Sequence, residues 1–499
     1  MTQRYDVVVI GAGLGGLTAA ALLAQAGRKV LVLDKNTSVG GAASTYKVKD
    51  LVVEAALHET GDPRHPGDPK HDILKRIGIA DALEWMPTGA FYEVRGGPVG
   101  KPFVLPDDFA AARTALGSRF SNSTTAVSSV LREMERRSTG LGRALWGEAS
   151  PTSNRQDSVV EVFDRAFGGD EGVKCALAAN LSYYTDDPQA LWWDFFAAAQ
   201  GGYLASGARF LRGGSQRLSN SLRRAIQNAD GEVRLKRTVT EIRAARHDGP
   251  ATVVHSRDGA DAVETEATVV VANAAPGALA PLLDEPARAR LDGAVAHHAP
   301  SMSAFCATIG LSQPAADFGL RSYSTVLLPP WMKKFAEYAK GAASVMTMTE
   351  GAAPPLTIAN YSAIDSGLGG PPYPISVLGP DRMANWADLE RDAFTTRRAR
   401  VLDGIIAVID AEFPGFADAV VAKSLSTASS MSSYLNAPQG AIYGFAPSPP
   451  KTANGYGLGR SPRTAIPGLY LASAYAAAGG FTGAMMGGAA AADAILAET

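Results

Sequence analysis

Three glycine clusters and one aspartate are where this sequence could do chemistry. Gly11-Ala12-Gly13-Leu14-Gly15-Gly16 carries the G-x-G-x-x-G spacing. In that pattern the first glycine permits a tight turn. The second lets backbone approach a pyrophosphate, and the third lets a helix pack closely on a strand. Free N–H groups at a helix start, together with the helix dipole, favour an anion there. Asp34 stands roughly twenty residues further on, where an acid binds ribose hydroxyls and disfavours a 2′-phosphate. Lys35 follows it. A second glycine pair, Gly40-Gly41, then comes with Ala42 and Ser44 behind it, and lets another backbone segment close over a long cofactor. The third cluster, Gly479-Gly480-Phe481-Thr482-Gly483-Ala484, lies near the C-terminus.

The flanking text supplies the elements that must hold these clusters. Val7–Ile10 and Val30–Leu33 are continuous apolar runs, as expected of strands covered on both faces. Between them Leu17–Ala26 has good helix chemistry, and Gly27 ends it. Helices are predicted over Asp72–Ile77, Ser128–Arg137, Val159–Phe167, Glu171–Asn180 and Leu218–Asn228, the last opened by Gly213-Gly214-Ser215-Gln216. Strands are predicted near Val233–Leu235, Val239–Arg243 and Thr268–Ala272. Gly468–Ala472 repeats the strand, glycine turn, helix order at the end of the chain. Ala474–Leu496 is apolar enough to pass for a membrane span and even contains a GxxxG. It is mostly Ala and Gly, which gain little on entering lipid, so a helix buried inside the protein is expected. The fold class predicted is α/β: a Rossmann-like nucleotide domain from residues 1–105, 205–290 and 421–499, interleaved with an α+β substrate domain from 106–204 and 291–420.

The run from Asp34 to Ser44, the Pro467–Ala472 strand with the glycines after it, and Gly213–Leu218 together resemble the flavoprotein superfamily of amine oxidases, phytoene desaturases, carotenoid isomerases and retinol saturase. The resemblance covers the ends and middle of the chain. It implies FAD as cofactor and a glutathione-reductase-like FAD-binding domain. It places the C-terminal helix start at the flavin ring and Val239 at the adenine end. The cofactor-binding residues it implies are Gly11, Gly13, Leu14, Gly15, Gly16, Asp34, Lys35, Gly40, Gly41, Ala42, Ser44, Val239, Gly480, Phe481, Thr482, Gly483 and Ala484. Amine oxidases usually carry arginine directly after the second glycine pair. Ala42 stands there instead, so the chain resembles the phytoene-desaturase and retinol-saturase branch more.

That branch implies a desaturase or dehydrogenase that moves hydride between flavin and a largely apolar small molecule, with oxygen or a quinone as electron acceptor. An amine oxidase, a flavin-dependent isomerase and a non-catalytic flavoprotein scaffold stay open beside it. Trp192, Trp193 and Phe196, in the run Leu191–Phe196, are candidates for the substrate wall, and ordinary core is the competing reading. Glu54, His58 and Glu59 follow the second glycine pair and are the candidate acid–base residues, with a structural polar cluster as the alternative.

Composition bounds the rest. With 499 residues, 46% hydrophobic and 19% charged, the chain has the balance of a globular protein of about two domains. A net charge of -2 gives no footing for nucleic acid. Cys175 and Cys306 lack C-x-x-C spacing and read as buried free thiols in a reducing compartment, so a cytoplasmic location is expected. No metal-ligand pattern occurs, and none is expected to be bound. Peripheral membrane contact and the oligomeric state are left open.

Overall fold

The computed structural model describes residues 3–56, 58–139, 156–244, 249–257, 259–260, 262–349, 351–448 and 460–498. The apolar runs at the N-terminus form the centre of a sheet. Its parallel part runs, edge to edge, through Glu232–Arg234, Val30–Leu33, Gln3–Ile10, Val263–Ala272 and Leu469–Leu471. Val263–Ala272 is long enough to serve two neighbours on one side. Its first half pairs antiparallel with Ala251–Ser256, and its last residues pair with Leu469–Leu471. Thr238–Arg243 completes the sheet beyond Ala251–Ser256. Because the parallel strands run the same way, Ile10, Leu33, Arg234, Ala272 and Leu471 all end on one edge. That edge is where open α/β sheets place their ligands.

Two helices cover this sheet near its middle. Leu14–Gln25 follows the first strand, and Gly480–Glu498 follows the last. They cross at their glycines. A Cβ on Gly488 would sit 2.2 Å from the Gly15 carbonyl oxygen, and one on Gly487 would sit 2.1 Å from that of Ser473. The C-terminal helix is long and apolar enough to cross a membrane by composition, but its Gly487–Ala489 stretch is buried against the N-terminal helix and its loop. This is the packing expected of the Ala- and Gly-rich segment. Both cysteines are buried free thiols.

A second seven-stranded sheet is largely antiparallel, in the order Val420–Ser426, Ser303–Leu311, Tyr373–Asp381, Leu356–Asn360, Ser324–Leu328, Tyr92–Gly96, Gly100–Leu105. The domain borders expected at 105 and 421 therefore need correction. Tyr92–Gly96 pairs with Ser324–Leu328, and Val420–Ser426 with Ser303–Leu311, so both belong to the second sheet. The reason is physical. A short strand's own residues encode that it is half-buried, while the sheet it joins is set by distant partners. Helix ends also shift. The predicted helix to Asn180 stops at Leu177, and the one predicted from Leu218 starts at Ser215.

Candidate active site

The edge of the first sheet opens into one cavity of about 1230 Å³. Ligand pockets commonly span roughly 300–1,000 Å³, so this one has room for a large cofactor and a further molecule. At its first end the loop after strand Gln3–Ile10 turns at Gly11, whose φ of +98° suits glycine. Gly13 caps the helix, and the N–H groups of the first helical turn lack partners within the helix. Gly11, Gly13, Leu14 and Gly15 line the cavity. Gly16 does not, because it has the packing role: a Cβ there would lie 2.1 Å from the Gly11 carbonyl oxygen.

Asp34 also faces the cavity. Its carboxylate accepts from Ala12 N and Asn36 N, both at 2.7 Å, and so braces the glycine turn from the neighbouring strand. Arg237 N donates to Asp34 O at 2.8 Å, and Lys236 N to Asn36 O at 3.0 Å. That contact brings Val239 and its neighbours to the same wall as Lys35. The second glycine pair closes over the first. Gly40 N donates to Ala12 O at 2.7 Å, and Ser44 Oγ–H to Gly41 O at 2.6 Å. Gly40, Gly41, Ala42 and Ser44 all line the cavity, as do Gly480, Phe481, Thr482, Gly483 and Ala484 at the start of the C-terminal helix. Behind that helix start lies a buried ion pair. Lys70 Nζ contacts Asp68 at 2.8 Å and donates to Thr482 Oγ1 at 2.9 Å, which ties the first turn of the C-terminal helix to that pair.

These residues fit FAD. The glycine turn leaves space that any Cβ would fill, an acid stands where a ribose would lie, and a second helix start opens on the same cavity. The group supplies two-electron hydride chemistry when bound.

Asn273 is a residue that sequence reasoning passed over. It directly follows strand Val263–Ala272, and its side chain lies under the glycine turn. Its Oδ1 is buried without a partner, and its Nδ2 is 2.7 Å from where a Gly13 Cβ would stand. The signal was its place, one residue past a central parallel strand. Arg460 was also missed. It is buried and donates to the carbonyls of Ala474, Ala477, Phe445 and Ala446 at 2.7–3.2 Å, which fixes two loops that line the cavity. Burial lowers its proton affinity to about 9.

The candidate substrate wall requires correction. Trp192, Trp193 and Phe196 are buried in the core and do not line the cavity. Trp193 donates from Nε1 to Glu133 at 3.0 Å and packs edge-on to Phe163. The cause is helical phase. In helix Trp193–Ser206 the cavity face is Phe195, Ala199, Gly202, Tyr203, Ala205 and Ser206, one side of the helix that widens toward its C-terminal end, and the tryptophan lies on another face. The aromatic wall is Phe195 and Tyr203 with Tyr183, Tyr184, Tyr443 and Phe445.

The acid–base candidates separate. Glu54 is fully buried and does not line the cavity. Its carboxylate accepts from Ser215 N at 2.8 Å, Ser215 Oγ at 2.5 Å and Thr45 Oγ1 at 2.6 Å. It caps the mid-chain helix Ser215–Asn228 and ties it to the strand behind the second glycine pair, so it is a positioning residue. In Glu54→Gln an N–H₂ replaces one acceptor. A loss of about 1–3 kcal/mol is expected, read as a lower melting temperature with flavin still bound.

His58 and Glu59 both line the cavity. The Tyr361 hydroxyl donates to Ser376 Oγ at 3.2 Å and contacts His58 Nδ1 at 2.9 Å. The other ring nitrogen, Nε2, is buried without a partner. Burial lowers the His58 proton affinity from 6.5 to about 3. Its folded value lies below its unfolded one, so its contribution to stability is full above pH 6.5 and falls as pH drops toward 3. Glu59 moves the other way. Burial holds its proton affinity well above the usual carboxylate range, with the Asp107 charge adding and the Tyr183 hydroxyl opposing.

Comparison with known proteins agrees with this geometry. The family described as flavin containing amine oxidoreductase matches residues 14–496. All-trans-retinol 13,14-reductase of Macaca fascicularis is 28% identical over 298 residues, covering 54% of this chain and 47% of that one. The neurosporene-forming phytoene desaturase of Rhodobacter capsulatus is 27% identical over 293 residues, covering 54% and 52%. The matched stretch thus spans about half the length of these relatives. Among solved structures, a putrescine oxidase variant superimposes with a TM-score of 0.69 at 16% identity over 100% of both chains, a likeness of fold. The chain belongs to the flavin containing amine oxidoreductase family, with FAD as its cofactor.

Proposed function

We propose that this FAD-dependent oxidoreductase acts on a long, largely apolar small molecule, exchanging hydride at a carbon next to a double bond or polyene. The observation that carries the reading is the continuity of the cavity. The nucleotide cleft at Asp34 and the aromatic wall at Phe195, Tyr203 and Phe445 belong to one space. A substrate lying on that wall would reach the C-terminal helix start, where the cofactor's reactive end is expected. Retinol reductase and phytoene desaturase, to which the chain is similar, are named for unsaturated apolar compounds. Oxygen or a quinone is the proposed electron acceptor.

In this site the chain's own residues position and exclude. The phenyl and phenol rings shed water from the ligand, and the buried His58 Nε2 and Glu59 carboxyl offer polar atoms on the wall. Anaerobic mixing tests the proposal. Holoenzyme is challenged with a polyene and its dihydro form, and separately with aliphatic amines, while flavin absorbance is followed. The expected result is bleaching by the dihydro compound, or recovery of a photoreduced sample by the polyene. Bleaching by amines alone would overturn it.

A further inference from the structure

Glu59 is a side chain that the fold buries and then leaves unsatisfied. It is 6% exposed, and neither Oε1 nor Oε2 has a hydrogen-bond partner. Buried polar atoms are nearly always paired, so an orphaned carboxyl in a cavity wall points to a partner that arrives with a ligand. Its backbone, by contrast, is held. Tyr203 Oη–H donates to Glu59 O at 3.3 Å, and the next residue, Thr60, pairs with Arg209 across a short sheet. The side chain is therefore presented to the cavity from a fixed position, beside Tyr183 and across from no cation that could neutralise it among the described contacts.

We propose that Glu59 is the polar anchor of the substrate site and exchanges hydrogen bonds with a single uncharged hydroxyl or carbonyl oxygen on an otherwise apolar ligand. Burial, the largest influence, and the Asp107 charge favour the protonated carboxyl and outweigh the neighbouring Tyr183 hydroxyl, which favours the ionised form. In that form one oxygen donates and the other accepts. A hydroxyl both donates and accepts and so matches the pair. A carbonyl takes the donor. An ammonium group requires the ionised carboxylate, which this environment disfavours. The ligand's apolar body lies along Phe195, Tyr203 and Phe445. The assignment rests on the proposed function, because it takes the aromatic part of the cavity as the substrate site.

The test is equilibrium binding to FAD-loaded protein, read by fluorescence quenching. The probes are all-trans-retinol, its deoxy hydrocarbon and its primary amine. The native protein is expected to prefer the alcohol to the hydrocarbon by about 10- to 100-fold, the range of a buried hydrogen bond. Glu59→Gln keeps most of that preference, because an amide also donates and accepts. Glu59→Leu loses it and binds the hydrocarbon at least as well as the native protein. Flavin absorbance and melting temperature, expected to be retained in both variants, confirm folding. An alcohol preference that survives in Glu59→Leu overturns the anchor while leaving the apolar site standing. Tightest binding of the amine, lost in Glu59→Gln, overturns it in favour of a charged carboxylate. Failure of all three probes to bind any form overturns both the anchor and the proposed function beneath it.

Discussion

Replacing Gly13 by leucine leaves the purified protein without FAD. The backbone there is ordinary, with φ of −75°, so conformation does not forbid a side chain. Space does. A Cβ would lie 2.7 Å from Asn273 Nδ2 and 4.0 Å from Gly40 O. A longer side chain can only extend into the cleft that the glycine turn keeps open for a pyrophosphate. The first-turn N–H groups that favour the anion are then screened by carbon. Cofactor affinity is expected to fall by at least about a hundredfold, roughly 2.7 kcal/mol. The ratio of flavin to protein absorbance and a titration with FAD measure it. Gly13→Ala should fall between native and Gly13→Leu, since the Asn273 amide it meets is the end of a movable side chain. Full occupancy in the leucine variant would remove the basis for the assigned binding mode.

How much of this was legible in the sequence follows from the range over which each feature is encoded. The Gly11–Gly16 turn, Asp34 and the helix start at Gly480 are local. Strand, turn and helix chemistry lie within a few residues of one another, and the expected lining residues face the cavity, apart from Gly16. Trp192, Trp193 and Phe196 were misassigned because aromatic content names no face. The phase of helix Trp193–Ser206 decides it, and Phe195 is the member of that run turned to the cavity. The borders at 105 and 421 were misplaced because strand pairing is non-local. Asn273 and Arg460 act through neighbours distant in the chain, at Gly13 and at Ala474 and Phe445, so no spacing rule announces them. Glu54 and Glu59 are five residues apart and looked alike as candidates. One is saturated by a helix N-terminus and the other is bare, and only the fold separates them.

The same contrast between local and distant encoding predicts the effect of a valine at Gly488. This residue is far from Gly15 in sequence, yet the two backbones touch. A Cβ at 488 would meet Gly15 O at 2.2 Å and Thr18 Cβ at 2.9 Å. Neither neighbour can give way cheaply, because Gly15 belongs to the turn that shapes the cleft and Thr18 is fully buried. Relief requires the helices Leu14–Gln25 and Gly480–Glu498 to separate, and each begins at one end of the cofactor site. Overpacking of this kind costs about 3 kcal/mol, and here it also moves both helix starts. Gly488→Val is therefore expected to melt several degrees lower and to lose FAD together with stability. Ala490→Val on the same helix, at a half-exposed position, supplies the comparison, with a propensity cost of no more than about 0.7 kcal/mol. If the two variants melt alike and both retain flavin, the close crossing of the terminal helices does not set the geometry of the site. If only Gly488→Val fails, the cofactor's two ends are held at their spacing by the absence of a side chain at that crossing.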